Sequence, residues 1–476
     1  MDSYPSKIGS GPTFFGKMPG RHRAAVDAVL AAALTMVLVI SNASAGYASA
    51  RARQVPDNLG PVTAIAAGSG HSLALRPDGT VVAWGSNNYG ELGNGVQTWY
   101  PNPVPVQVCA IGESAPCTRF LTGVIAIAAG DLHSLALLRD RTVVAWGYNG
   151  EGQLGNGTTT IANTPVQVCA VGQTAPCSLL LSGVRALTTG EYHSLAQLTD
   201  GTAVTWGSNY YRQLGDGTTI NRTVPVRVCA VGQVAPCNRH LTGVRSIAAG
   251  GLHNLAVVDN ALAVAWGYNS AGQLGDGTTI NRTVPVRVCA IGHIPPCDQL
   301  YAVKAVAAAY GHSMALLGDG SAVAWGGNFA GSLGDGTTIN RLTPVRVCAV
   351  GQVAPCAQYL YGIRHISTDG GHSMAQLSSG GVLTWGFNSL GQLGDGGYED
   401  QLTPVRVCVV GQVAPCTRYL SLIRAVTAGS HHSLALQVDY TVIAWGYNLH
   451  GELGDGTTIT RPVPVQVLAP RPALRS

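Results

Sequence analysis

Ile127-Ala128-Ala129-Gly130-Asp131-Leu132-His133-Ser134-Leu135-Ala136-Leu137 is the stretch that decides the fold, because the chain keeps returning to it. Val143-Val144-Ala145-Trp146-Gly147 and Gln153-Leu154-Gly155-Asn156-Gly157 follow it each time in close variants. The histidine recurs at His71, His133, His193, His253, His312, His372 and His432, with spacings of 62, 60, 60, 59, 60 and 60 residues. The tryptophan recurs at Trp84, Trp146, Trp206, Trp266, Trp325, Trp385 and Trp445. A fixed period of this length marks an array of one supersecondary unit, whose copies bury their apolar faces on one another.

Within the second unit, Val124 to Ala129 reads as a strand ended by Gly130. Ser134 to Leu138 reads as a second strand and Val143 to Trp146 as a third. The turn before the third strand is Pro77-Asp78-Gly79 or Thr199-Asp200-Gly201 in other units, which is hairpin chemistry. A loop of about 18 residues precedes a short fourth strand, Pro165 to Val168, led by proline and so suited to a sheet edge. Four short strands per unit, seven times over, predict an all-β chain folded as a seven-bladed β-propeller. Ring closure removes the free sheet edges, and the reading places strand Val62 to Ala67 beside strand Pro464 to Val467.

The first 50 residues differ from the rest. Lys7, Lys17, Arg21 and Arg23 precede an uncharged apolar run, Ala28 to Ile40, then Ala43-Ser44-Ala45 and Ala48-Ser49-Ala50. A basic head, a short apolar run and small residues predict an export signal cleaved after Ala45 or Ala50. The run is short for a membrane span of roughly 20 residues, the alternative being an uncleaved anchor that extends it back through Asp27 to Ala24, and no later stretch is long and apolar enough. The expected layout is a signal over 1–50, a linker over 51–60, the propeller over 61–468 and a tail over 469–476. Loss of the signal would lower the net charge from +4 to +2 and leave no Lys/Arg block. That balance argues against nucleic acid as a partner.

The twelve cysteines form six pairs at one spacing: Cys109/Cys117, Cys169/Cys177, Cys229/Cys237, Cys289/Cys297, Cys348/Cys356 and Cys408/Cys416. Zinc needs four clustered ligands, and successive pairs stand about 60 residues apart. Gly and Pro inside each loop, as in Gly232 and Pro236, favour a turn that brings the ends together. The pairs therefore read as local disulfides, each contributing about 2.5 kcal/mol in the chain-entropy picture. An even count at repeated spacing behind an export signal predicts an oxidising compartment: periplasm, cell surface or exterior.

The segments Ile65-Ala66-Ala67-Gly68-Ser69-Gly70-His71-Ser72-Leu73-Ala74-Leu75 and Trp266-Gly267-Tyr268-Asn269 with Gln273-Leu274-Gly275-Asp276-Gly277 resemble the repeats of the regulator of chromosome condensation family. The resemblance recurs in all seven units, over residues of about 61 to 467, and implies a seven-bladed propeller. Founding members of that family bind chromatin and promote nucleotide exchange on a small GTPase. A secreted group inhibits class A β-lactamases by laying one propeller face over the enzyme. The export signal and the disulfides align this chain with the second group.

A residue needed once for catalysis would not recur in every unit, so the seven histidines read as structural, each imidazole bonding backbone near the inner strands. The seven Trp-Gly pairs read as core between blades. The Asp-Gly-Thr-Thr stretches at Asp216, Asp276, Asp335 and Asp455 lack the alternating acids of a calcium loop and read as side-chain-to-backbone turns. No nucleophile–base set, carboxylate pair or phosphate loop stands out, so neither enzyme activity nor a cofactor is expected. Function is sought where the units differ. Before the histidines these positions include Asp131, Glu191, Tyr192, Tyr310 and His431. After Trp-Gly they include Tyr89, Tyr210, Tyr211, Phe329 and Phe387. Aromatic side chains on such loops suit protein contact. The expectation is an exported, monomeric, non-enzymatic scaffold that binds a partner protein on a loop-lined face, with a GTPase exchange factor as the alternative.

Overall fold

The computed structural model describes residues 59–470. The stretch read as an export signal lies outside them. The 28 strands fall into seven four-stranded antiparallel sheets, each made of four consecutive strands. In blade 2 they are Val124–Ala129, His133–Leu138, Val143–Gly147 and Ala162–Gln167, running from the axis outward. The all-β seven-bladed propeller is therefore the observed architecture.

The second strand explains why the motif is so insistent. His71–Leu75 is buried along its whole length, since both of its faces meet a neighbouring blade. A strand covered on both sides reads as a continuous apolar run rather than an alternating one. The core is accordingly divided among seven clusters, each lying between two blades. One joins Leu73 and Leu75 of blade 1 to Val144 and Trp146 of blade 2. Another joins Leu195 of blade 3 to Val264 and Trp266 of blade 4. Every repeated tryptophan is fully buried in such a seam. Leu59, within the segment read as linker, packs in the seam between blades 7 and 1 with Trp84 and Leu434.

Two expectations change in detail. The fourth strand of blade 2 begins at Ala162, and Pro165 sits inside it. Its ladder with the third strand pairs Ala145 with Val166 and Gly147 with Ala162, and the register shift between them accommodates a residue without an N–H. The terminal blades do meet, but their end strands do not pair. Ala64–Ala67 pairs with the second strand of blade 1, and Arg461–Gln466 pairs with the third strand of blade 7. Each unit begins on the axis and ends at the rim, so its own four strands complete its sheet. The seam closes by packing and by hydrogen bonds across it, among them Val62 N–H to Tyr440 O at 3.1 Å and Asn102 N–H to His450 O at 2.9 Å.

All six disulfides join nearest cysteines, eight positions apart: Cys109–Cys117, Cys169–Cys177, Cys229–Cys237, Cys289–Cys297, Cys348–Cys356 and Cys408–Cys416. Among the described residues no cysteine is left free. The spacing gave the pairs but not their asymmetry. Cys109, Cys169, Cys229, Cys289, Cys348 and Cys408 are buried just past the outer strand. Their partners Cys117, Cys177, Cys237, Cys297, Cys356 and Cys416 are only half-buried. Each bridge therefore pins an exposed connector loop to a fixed point at the edge of the core. Such a set belongs to a chain that folds in an oxidising environment. No helix among the described residues is long and apolar enough to cross a membrane.

Candidate functional site

The histidines make a ring of links between blades, and their partners are side chains rather than the backbone expected from the sequence. His133 Nε2 lies 2.9 Å from Ser194 Oγ of the next blade. Ser194 Oγ donates to Gln153 O at 2.9 Å, a carbonyl that also accepts from Trp206 Nε1 at 2.8 Å. The hydroxyl gives its one hydrogen to that carbonyl, so its oxygen accepts from the imidazole and Nε2 carries the proton. The links His71–Ser134, His253–Ser313, His312–Ser373, His372–Ser433 and His432–Ser72 repeat the arrangement. In the remaining link Asn254 replaces serine: Oδ1 faces His193 Nε2 at 2.9 Å and Nδ2 donates to Gln213 O. The amide keeps the same order of acceptor and donor. Burial lowers all seven imidazoles, to about 4 at His71 and His193 and about 3 at the others. They are neutral clamps without solvent access.

The Asp-Gly-Thr-Thr stretches form the expected turns. Asp276 Oδ1 accepts from Thr278 N–H at 3.1 Å and from its hydroxyl at 2.7 Å. They also hold an ion pair the sequence did not announce. Arg282 meets Asp276 Oδ2 at 2.6 Å, and Arg222–Asp216, Arg341–Asp335 and Arg461–Asp455 repeat it.

The variable positions converge on one face. The first and third strands of a blade run toward it, so the loop before each histidine and the loop after each Trp-Gly emerge together. Tyr148, after Trp146, sits edge-on to Tyr192, before His193, at 6.1 Å. His431 and Tyr447 join the two loop sets in blade 7 at 6.1 Å. Tyr89 contacts Tyr148 at 5.1 Å and Trp99 at 6.2 Å. Tyr211 contacts Tyr268 at 5.1 Å, and Phe329 contacts Phe387 at 5.9 Å. An interrupted aromatic belt results. Its most exposed members are Phe329 (73%), Trp99 (71%) and Tyr210 (67%), with Tyr310 also open. Tyr89, Tyr192, Phe387 and His431 are partly covered by their neighbours.

Trp99 and Tyr100 were not among the sequence candidates. Blade 1 carries a longer outer strand, Thr98–Gln107, paired past the usual bulge through Asn87 and Thr98. The signal was in the composition: eight tryptophans occur, and Trp99 is the one outside the repeat.

Inside the belt the axial channel opens, a cavity of about 440 Å³ lined by the first strands. Asp131, Glu191 and Asp369 line it at the end where the first strands finish. Burial raises all three carboxyls, and at Asp131 the charges of Asp369 and Glu191 add to it. Asp369 reaches about 6, held from rising further by Gly370 N–H at 2.7 Å. Glu91, buried next to Tyr89, is pushed to about 7 by burial. Among the described residues no group of three or more His, Cys, Asp or Glu side chains is placed to hold a metal. The arrangement offers a broad contact surface, aromatic at its edge and acidic at its centre.

Comparison with known proteins gives the same architecture. The family model described as the RCC1-like domain matches residues 32–298, more than half of the chain, and the regulator of chromosome condensation (RCC1) repeat matches 379–436. The ultraviolet-B receptor UVR8 of Arabidopsis thaliana is 29% identical over 406 residues, covering 85% of this chain and 81% of that one. The human E3 ubiquitin-protein ligase HERC2 is 26% identical over 403 residues. The match spans only 7% of HERC2, so its ligase activity is not carried over. Among solved structures, human WBSCR16 superposes with a TM-score of 0.60 at 23% identity, covering 80% of this chain and 87% of that one. Prp20p of Saccharomyces cerevisiae gives 0.59 at 20% identity, covering 86% and 87%. With seven complete blades and the family model matched over more than half of its length, the chain belongs to the RCC1-like domain family.

Proposed function

We propose that this chain is an exported, non-enzymatic propeller that binds a partner protein on its aromatic face. The observation that carries the reading is the convergence of both variable loop sets on that face, with Tyr210, Phe329, Tyr310 and Trp99 open to solvent. Large aromatic side chains around a partly enclosed centre are what protein recognition uses for binding energy. The acidic mouth at Asp131, Glu191 and Asp369 favours a partner that presents a basic side chain there. The repeated histidines, tryptophans and disulfides hold the blades and leave the loops free to differ.

The test is capture of partners from extracellular or periplasmic extract by the native protein and by a Tyr210→Ala/Tyr211→Ala double variant. Loss of a specific partner in the double variant is expected; equal capture refutes the surface. Inhibition of a secreted hydrolase is the finer reading, and a panel of β-lactamase assays decides it.

A second reading, nucleotide exchange on a small GTPase, draws on the fold shared with Prp20p, a structure reported with its binding properties to Gsp1p and histones. It requires an intact N-terminus and free thiols in the cell. Intact-mass measurement of the native protein separates the two readings, since export predicts loss of about 45–50 residues and twelve oxidised cysteines.

A further inference from the structure

We propose that the opposite face of the ring docks on an anionic phospholipid surface through blades 5, 6 and 7. The inference starts from a β-bulge at the second position of the first strand. Register shifts there in blades 2, 3, 5, 6 and 7, between Val303 and Ala305 for example. A bulge re-aims the extra side chain out of the ladder. The residues at this position are Thr63, Ile125, Arg185, Arg245, Lys304, Arg364 and Arg424, all exposed, so five consecutive blades place a cation on one rim. Arg245 is paired with Asp259 at 2.9 Å, and Arg424 lies over the Tyr440 ring at 4.9 Å. Arg185, Lys304 and Arg364 have no carboxylate within ion-pair distance among the described residues.

Charge alone would suit any polyanion. The same rim also carries apolar side chains that the fold does not require. Leu422 stands at φ +58°, where blades 2, 3, 4 and 6 place Gly123, Gly183, Gly243 and Gly362 at φ between +66° and +72°. A leucine in the left-handed region is strained, and this one is 64% exposed. It therefore recovers little packing in return. Leu422 O accepts from Val438 N–H at 2.9 Å, which sets a second exposed aliphatic beside it. Tyr440, two residues on, is also at positive φ, +68°, and exposed. Tyr301 (69%) and Tyr361, also exposed, precede Lys304 and Arg364 in the same connectors.

Over these three blades the rim and the adjacent strand ends present Lys304, Arg346, Arg364, Arg406 and Arg424 against Asp319 and Asp439, and the connectors ahead of them add Arg418 and Asp298. Asp319 and Asp439 accept from Ser321 and Thr441 within their own turns and keep their charge, so the cations exceed the carboxylates without being cancelled by them. Protruding aliphatics and tyrosines flanked by cations match the interface of an anionic bilayer, where acyl chains take the first and headgroup phosphates the second. Leu422 and Val438 would gain nothing from a free polyanion. The aromatic face would then point away from the membrane, available to its own partner.

The experiment is co-sedimentation of the native chain with phosphatidylglycerol-containing vesicles and with pure phosphatidylcholine vesicles. Binding only to the anionic vesicles is expected. Lys304→Gln with Arg364→Gln is expected to weaken it about 30-fold, at roughly fivefold per cation near the surface. Leu422→Gly, which also relieves the strained backbone, is expected to weaken it about tenfold. Any binding through the N-terminal apolar segment is common to all these variants and cancels in the comparison. Lys304 is the one lysine among residues 59–470, so amine acylation read by peptide mass reports this face without mutation. Its protection by anionic vesicles alone supports the proposal. Equal binding to both vesicles, unchanged binding in the double variant, or an unprotected Lys304 overturns it. Binding abolished by soluble polyphosphate and insensitive to Leu422→Gly would assign the face to a free polyanion instead.

Discussion

Mild acid is expected to open the ring through its seven histidines. In the folded chain His71 and His193 titrate at about 4 and the other five at about 3, because each imidazole is buried in a blade seam. In the unfolded chain they return to about 6.5. The folded values lie below the unfolded ones, so the unfolded state binds more protons between pH 6.5 and 3. Stability is fully present above pH 6.5 and falls as the pH drops through that window. From pH 7 to pH 5 each histidine removes about 2 kcal/mol, and the seven together about 13 kcal/mol. The raised carboxyls act in the opposite sense, since their folded values lie above their unfolded ones. Glu91 at about 7 and Asp369 at about 6 return about 4 kcal/mol over the same interval. Asp131 and Glu191, also raised by burial, act in the same sense, so the net loss is at most about 9 kcal/mol, still a sizeable share of the stability of an ordinary domain. Urea unfolding at a series of pH values, with the disulfides intact, should show a midpoint that falls steeply below pH 6. His253→Gln keeps a donor toward Ser313 but cannot titrate, so it should lower the acid slope by one proton, about 1.4 kcal/mol per pH unit. Stability that stays flat to pH 5, or a slope unchanged in His253→Gln, would refute the reasoning.

Three further outcomes follow from single contacts. Gly275→Ala places a Cβ 2.7 Å from Trp325 Nε1 at φ +66°, and is expected to cost about 3 kcal/mol in urea unfolding. Gly292→Ala at φ +72° meets nothing within 4 Å and should cost about 1 kcal/mol; equal losses would sink the packing argument. Asp276→Ala removes the acceptor of both Thr278 donors and the carboxylate partner of Arg282, while Asn269 Nδ2 keeps its bonds to Thr278 O and Ile280 O, and should lower stability by about 2 kcal/mol in the same assay. Trp99→Ala, on a side chain that is exposed and outside the seams, should leave unfolding within about 0.5 kcal/mol of native while weakening partner capture; a large stability loss would show that Trp99 is structural.

What the sequence made legible was whatever the seven units share. The period placed the strands, the cysteine spacing gave the disulfides, and burial of Trp146 and its equivalents followed from recurrence. The unequal burial of Cys109 and Cys117 was not legible, because it depends on where the connector leaves the sheet. The histidine partners were hidden by the same recurrence. His133 bonds Ser194, yet Ser194 looks like the neighbour of His193, so each link joins one position of a unit to the next position of the following unit. Asn254 was the visible clue, the one non-serine after a repeated histidine, able to accept and donate in the same order. The shared face of Tyr148 and Tyr192 depends on strand direction, which spacing alone does not carry. Trp99 was not legible because a comparison of equivalent positions has no counterpart for it: its strand is an extension that other blades lack.

The seam between the last blade and the first is bound much as the other six are. His432 meets Ser72 at 2.8 Å, and Trp84 Nε1 donates to Glu452 O at 2.7 Å. No strand is borrowed across it, since each sheet is one unbroken stretch of chain. The starting point of the polypeptide is thus nearly arbitrary to the folded ring. A gene rearranged to begin at any disulfide connector should yield the same body, and gain or loss of one whole unit would leave no strand without its neighbours. That modularity lets the loops of one blade diversify while the other six hold the frame.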